Sequence, residues 1–431
     1  MSAIERRRPN RREFVGILGG GALSLLGLRL IGNAFATGRA SSGQDTRGEA
    51  AFRPHALDGR AIRASATASR VLVVIELAGG NDGLSTVVPY GASAYRTLRK
   101  STAIDEKDVV RIDDTFGFHP NLAVCAPRLA VLQGVGAPDA SGSHFEMSAR
   151  WWTGDVTGKQ ALATGFLGRV CDALDVGAPV TGVSLAGATP ALLSDNAVTI
   201  GLPSLNELQW LTSTEPWFRN LRQGYGELAG AASESSAAVH ARTGVERALA
   251  FAGVLGEIGE PPAASERPAY PASNIGDQLR LAATLIGAHA GVRVVHAQLG
   301  GFDTHTNQRG THDQLMRELA ESLTAFADDL GNRGLTESVL IATTSEFGRR
   351  AKENNSGTDH GTASCALLMG PVTAGLHGAP LSLTDLDASD NLRATTTLEE
   401  YYATLAEHWF GIDAARVLPT KPKPIAGVLN A

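Results

Sequence analysis

The most regular signal along the chain is an alternation of short apolar runs with longer stretches of helical period. Val71-Leu72-Val73-Val74-Ile75-Glu76-Leu77 is almost wholly apolar, as in strands buried on both faces. It stops at Ala78-Gly79-Gly80-Asn81-Asp82-Gly83, a run of turn-forming residues. Leu129 to Val135 is a second apolar run. Leu279 to His289 predicts a helix, followed by a strand over Val292–Leu299 and the loop Gly300-Gly301-Phe302-Asp303-Thr304-His305. Leu315, Leu319, Leu323, Phe326 and Leu330 recur at spacings of three and four, which predicts a helix with one apolar stripe that Gly331 can cap. A strand over Ser338–Thr344 then runs into Ser345-Glu346-Phe347-Gly348-Arg349, and Leu398–Trp409 predicts a last helix packed on the sheet. Helix, buried strand and polar loop in repeating order predict an α/β fold, with a mostly parallel central sheet between helices. Residues from about 180 to 270 break this order. They are rich in Ala, Gly, Ser and Glu, with helical stretches around Leu205–Leu221 and Val245–Leu255 and a joint at Pro261-Pro262, and predict a helical insertion.

The N-terminus follows different rules. Arg6, Arg7, Arg8, Arg11 and Arg12 precede a Gly-rich, mildly apolar stretch from Phe14 to Leu28, and Ala34-Phe35-Ala36 has the small-x-small pattern of a signal-peptidase site. Asn10-Arg11-Arg12-Glu13-Phe14-Val15 resembles a twin-arginine signal. A membrane anchor is the competing reading, but the run is shorter than the roughly 20 residues that span a bilayer, and Arg29 ends it. The expected organisation is a signal peptide over 1–36, a flexible leader over 37–69 and an α/β domain over 70–431. The expected location is the periplasm, reached through the twin-arginine translocase, with no stable membrane span. That route carries folded proteins, often with a cofactor or metal, and so favours a metalloprotein.

Bulk composition narrows the field further. The chain has 431 residues, 43% hydrophobic and 19% charged, an ordinary globular balance that suits one large α/β domain with an insertion or two modest domains. A net charge of −6, from 38 basic and 44 acidic residues without a basic stripe, argues against nucleic acid as a partner. Three cysteines, Cys125, Cys171 and Cys365, are too few for a disulfide scaffold or a thiolate zinc site.

Ligands of open α/β sheets gather beyond the carboxyl ends of the strands. Three predicted strands there lead to Asp82, to Asp303 with His305, and to Glu346; the loop Gly357-Thr358-Asp359-His360-Gly361 adds Asp359 and His360. Oxygen and imidazole donors without thiolate suit zinc, manganese or iron, and admit magnesium or calcium. Two such ions would hold a phosphate or sulfate ester between them. Each residue has a plainer alternative. Asp82 is also a turn residue, Asp303 also a helix cap, Glu346 also a surface partner for Arg349 or Arg350, and His360 also a turn residue. Ser143, at the start of a predicted helix, is a candidate nucleophile, but with Glu146 three residues on it also reads as a capping box. His119 reads as a satisfied loop side chain, and Trp151 and Trp152 as core or rim aromatics.

Five ordered motifs resemble a bacterial family catalogued as domain of unknown function 1501. They are Gly79-Gly80-Asn81-Asp82-Gly83, Ser143-His144-Phe145, Gly301-Phe302-Asp303-Thr304-His305, Ser345-Glu346-Phe347-Gly348-Arg349 and Thr358-Asp359-His360-Gly361. That family resembles a branch of the alkaline phosphatase and sulfatase superfamily, which implies a two-metal site on an alkaline phosphatase-like fold. By the resemblance Asp82, Asp303, His305, Glu346 and His360 match metal ligands. Glu346 stands where an Asp is expected, and Phe347 where an adjacent His is expected. His144 falls at the nucleophile position, with Ser143 one residue away, and the sequence that matures into formylglycine is absent. The resemblance implies a hydrolase of phosphate, sulfate or related esters. The competing function is a non-catalytic envelope protein that keeps the fold to bind a ligand or partner.

Overall fold

The computed structural model describes residues 70–204, 215–220, 223–224, 243–244, 246–247, 250–251, 253–255 and 268–430. The predicted signal and leader, most of the helical stretch around Leu205–Leu221, part of that around Val245–Leu255, and the Pro261-Pro262 joint lie outside the described residues.

The first apolar run forms β1 (Val71–Ala78), at the middle of a nine-stranded sheet. The other strands are β2 (Leu129–Gly136), β3 (Gly182–Ser184), β4 (Thr199–Gly201), β5 (Val294–Gly300), β6 (Val339–Thr344), β7 (Ala363–Met369), β8 (Gly375–His377) and β9 (Thr396–Thr397). The spatial order is β8-β2-β7-β6-β1-β5-β3-β4, with β9 also on β2. β1 pairs in parallel with β5 and β6. β7 alone is reversed, antiparallel to both β2 and β6.

Successive strand residues point to opposite faces, and both faces of β1 are covered. Val71, Val73, Ile75 and Leu77 join the core under α3 (Asn274–Gly287) and α4 (Gln308–Asn332). Leu72 and Val74 join the core under α1 (His144–Thr153), α2 (Phe166–Leu174) and α5 (Leu398–Ala403), which runs on as a wider turn to Trp409. Burying each such side chain contributes about 1.5–3 kcal/mol, and burial on both faces is why the run shows no alternation. α5 starts at a full capping box, with Thr397 and Glu400 each satisfying the other's backbone N–H. α4 passes through Gly331 and ends at Asn332, and the left-handed residue beyond it is Gly334 at φ 68°.

The first part of the stretch predicted as a helical insertion joins the sheet. Residues 182–201 supply β3 and β4, which extend the sheet in parallel from β5. At three residues each, they are too short to show a strand period against an Ala- and Gly-rich background. Further along the same stretch, Phe251 and Val254 are buried in the core beneath α3 and α4.

This topology decides where the loops fall. β1, β2, β5 and β6 run the same way, so the loops after Ala78, Gly136, Gly300 and Thr344 leave one edge of the sheet. Because β7 is reversed, the loop before Ala363 lies at that edge too. Among the described residues no helix is long and apolar enough to cross a membrane.

Candidate metal centre

The loops at this edge are packed backbone to backbone. Gly79 has φ 115°, and a Cβ there would lie 2.4 Å from the Asp303 nitrogen, so only glycine lets the two loops approach. Arg349 is fully buried and fastens four segments together. Its guanidinium donates to the carbonyls of Gly79 and Gly80, Phe302 and Thr358, and to Asp303 Oδ1 at 2.8 Å. The sequence suggested a surface partner for Glu346; the structure makes Arg349 a clamp on Asp303.

Around Asp303 stand three imidazoles. His360 Nε2 lies 3.0 Å from Asp303 Oδ1, His305 Nε2 lies 3.1 Å from the same oxygen, and His144 Nε2 lies 3.6 Å from Oδ2. The Nε2 atoms of His305 and His360 are 3.0 Å apart. One ligand atom each from His144, Asp303 and His360 falls within 4.8 Å of the others. The far nitrogen of every ring is held by an acceptor: Nδ1 of His144 by Glu346 Oε1 at 2.9 Å, Nδ1 of His305 by Asp359 Oδ1 at 3.2 Å, and Nδ1 of His360 by the Gly142 carbonyl at 2.8 Å.

These outer partners set the tautomers. A carbonyl and two carboxylates only accept, so each Nδ1 carries the hydrogen and each neutral ring presents a bare Nε2 lone pair. With the rings in that neutral form, three Nε2 lone pairs and the Asp303 carboxylate converge, a donor set that a cation can fill. Burial works to raise the Asp303 pKa, but the hydrogen bond and charge of Arg349 outweigh it and bring it down to about 2, so the carboxylate is ionised. Three imidazoles and one carboxylate, each backed by an outer hydrogen bond, are the donor chemistry of a transition-metal site. Asp303, at 47% side-chain exposure, leaves the cluster open to solvent.

The sequence-derived ligands thus divide into three groups. Asp303, His305 and His360 converge, and His144, matched to a nucleophile position, joins them. Glu346 and Asp359 stand behind the rings: Glu346 is buried and accepts from Gly79 N and His144, and Asp359 accepts from His305 and Asn354 Nδ2. Asp82 turns away. It caps a short helix and takes both terminal nitrogens of buried Arg99 at 2.5 and 3.0 Å, plus Ser85 Oγ at 2.7 Å, Gln308 Nε2 at 2.5 Å and Leu84 N at 3.2 Å. No lone pair is left to point toward the cluster. Ser143 is the N-cap of α1, accepting from Glu146 N at 3.4 Å, while Glu146 turns its own carboxylate to Arg150, so the capping box is half made. His119 is buried and satisfied by Asp313 and by Asn121 N. Trp151 is core, stacked on His296 with ring centroids 6.1 Å apart. Arg99 and Gln308, which hold Asp82, carry no motif and were not legible as site residues.

A mostly parallel α/β sheet with an imidazole and carboxylate cluster over its strand ends defines the class of protein. The chain belongs to the family described as Protein of unknown function (DUF1501), which matches residues 130–421. No curated protein matches it in sequence. Similar solved structures include the PsFucS1 sulfatase from Pseudoalteromonas sp., at 12% identity over 87% of this chain and 78% of that one, with a TM-score of 0.34. Others are the lipoteichoic acid synthase LtaP of Listeria monocytogenes, at 10% identity over 84% and 77% with a TM-score of 0.38, and a phosphonate monoester hydrolase of Agrobacterium radiobacter, at 15% identity over 79% and 74% with a TM-score of 0.30.

Proposed function

We propose that the protein is a metal-dependent hydrolase of phosphate, sulfate or related esters, exported folded to the periplasm by the twin-arginine pathway. The observation that carries the reading is the convergence of three Nε2 atoms on Asp303, with an acceptor behind the Nδ1 of each ring. His144, Asp303, His305 and His360 are the residues that would hold a divalent ion there; Glu346, Asp359 and the Gly142 carbonyl fix their rings. When bound, such an ion supplies Lewis acidity toward an ester oxygen and lowers the pKa of water toward neutrality. Three nitrogen donors favour zinc, manganese or iron over magnesium and calcium, which prefer oxygen. The chain itself orients the donors and keeps the cluster open to an anionic ester. The Ser143 hydroxyl is engaged as a helix cap, so the geometry favours water as the attacking group.

The test is a panel of nitrophenyl phosphate, bis-nitrophenyl phosphate and nitrophenyl sulfate assayed with the metal-loaded protein. Turnover that disappears with a chelator and returns with added zinc or manganese is the expected result. Metal-loaded, folded protein that cleaves none of these would overturn the hydrolase and leave a binding protein on the same fold.

A further inference from the structure

Two carboxylates that sequence pattern places among the ligands, Asp82 and Glu346, are already committed elsewhere. We infer that the centre takes a single ion, with His144 as one of its ligands. The inference rests on the metal reading above and adds its stoichiometry.

Asp82 would be needed for a second ion, and both of its oxygens are taken. Oδ2 accepts from Arg99, Ser85 and Gln308, and Oδ1 accepts from Arg99 and Leu84 N. The Arg99 side chain is buried, donates two further N–H groups to the Ala351 and Arg350 carbonyls, and cannot swing out without leaving these acceptors in a dry interior. A positive charge therefore already sits on Asp82. Glu346 is committed through one oxygen: its Oε1 accepts both Gly79 N and His144 Nδ1–H, and its Oε2 lies 3.5 Å from Ser345 Oγ. Among the described residues His144, Asp303 and His360 form the one compact group of metal-type donors, with His305 Nε2 at its margin.

His144 earns its place by geometry rather than by motif. It is the first residue of α1, and Glu346 fixes the ring from its Nδ1 side. Its ring lies edge-on to His360 at 4.5 Å and against Phe347 at 5.0 Å. Phe347 thus fills the space beside the cluster with an apolar wall that offers no donor. Glu346 and Asp359 then act as positioning residues, each locking one imidazole so that its Nε2 faces Asp303.

Elemental analysis of the purified, metal-loaded protein, with a competing-chelator titration, decides the matter. One equivalent of zinc per chain is expected. Glu346→Gln should weaken affinity by about 10–100-fold, as loss of an outer partner does, and His144→Ala by more, while Arg99 and Asp82 stay in place in both. Cobalt substitution adds a readout independent of activity: the visible bands of the cobalt protein should change in His144→Ala and persist, shifted, in Glu346→Gln. Two equivalents in the wild type, or His144→Ala with unchanged affinity and unchanged cobalt bands, would overturn the single-ion centre and leave the metal reading standing. Wild-type protein that binds no zinc or cobalt would instead remove the metal reading itself.

Discussion

Asp82 and Asp303 stand on loops that touch, yet their surroundings give them opposite work. Asp303 keeps 47% of its side chain exposed and faces three imidazoles. Asp82 is buried on Arg99, whose charge and hydrogen bonds hold its carboxyl well below the usual carboxylate range against the opposing pull of desolvation. Asp82→Asn should therefore cost about 3–5 kcal/mol of unfolding free energy, because Arg99 is left buried without its partner, while the metal content of the folded fraction stays the same. A denaturant midpoint unchanged from wild type would remove the structural role assigned to Asp82. The depressed pKa makes this contribution complete above the unfolded value near 3.9 and lost only as pH falls through the folded one. His312 acts in a higher window. Buried with its Nε2 3.2 Å from Asn81 Oδ1, it is pushed down to about 3 by desolvation and by neighbouring His119, against the pull of Asp82 and Asp313. The unfolded chain takes up a proton near pH 6.5 that the folded chain refuses, so stability falls as pH drops from there toward 3, by up to about 1.4 kcal/mol per pH unit. His312→Gln should flatten that slope in denaturant titrations at pH 6.5 and 5 with a chelator present; an identical slope would assign it elsewhere. At this scale the sequence is ambiguous for a physical reason. Gly-Asn-Asp-Gly spells a turn, a cap and a ligand with the same letters, and the arginine that decides among them lies 17 residues away.

The elements sort by how much apolar surface they bury. β1, β5 and β6 were legible because burial on both faces writes a continuous apolar run. β3, β4 and β9 were not, because strands of two or three residues lack room for a pattern. The end of α4 was misplaced at Gly331 because glycine marks a cap only when the hydrogen bonds close around it. Here Leu335 N reaches Leu330 O at 2.8 Å, and the left-handed turn is left to Gly334. α1 carries the element-scale prediction, since its first residue is His144 and its cap is Ser143. Ser143→Ala removes one exposed cap bond and should lower stability by about 0.5–1 kcal/mol, the low end for such caps, with ester turnover per bound metal preserved. Turnover lost at full metal content would instead make the Ser143 hydroxyl the attacking group.

At the scale of the molecule, the reversed strand β7 completes the site. It brings Asp359 and His360 to the same edge as the loops of the parallel strands, and its direction is a tertiary fact that the letters of Ala363–Met369 do not carry. The assembled edge has a definite charge. Asp303, Glu346 and Asp359 contribute three negative charges, and Arg349 is the one side-chain cation that touches the cluster among the described residues. With one divalent ion the site is close to neutral, and Arg349 is fully buried with its guanidinium turned to backbone carbonyls and Asp303, so it does not reach a substrate. A dianionic phosphate monoester then gains little Coulombic attraction over a monoanion, and its larger desolvation cost counts against it. The protein should therefore favour monoanionic esters, with a higher kcat/KM for bis-nitrophenyl phosphate or nitrophenyl sulfate than for nitrophenyl phosphate at pH 8. Binding should follow the same order, benzenesulfonate shifting the visible bands of the cobalt protein at lower concentration than phenylphosphonate. A clear preference for the dianion in both measurements would mean that more positive charge faces the substrate than one ion supplies.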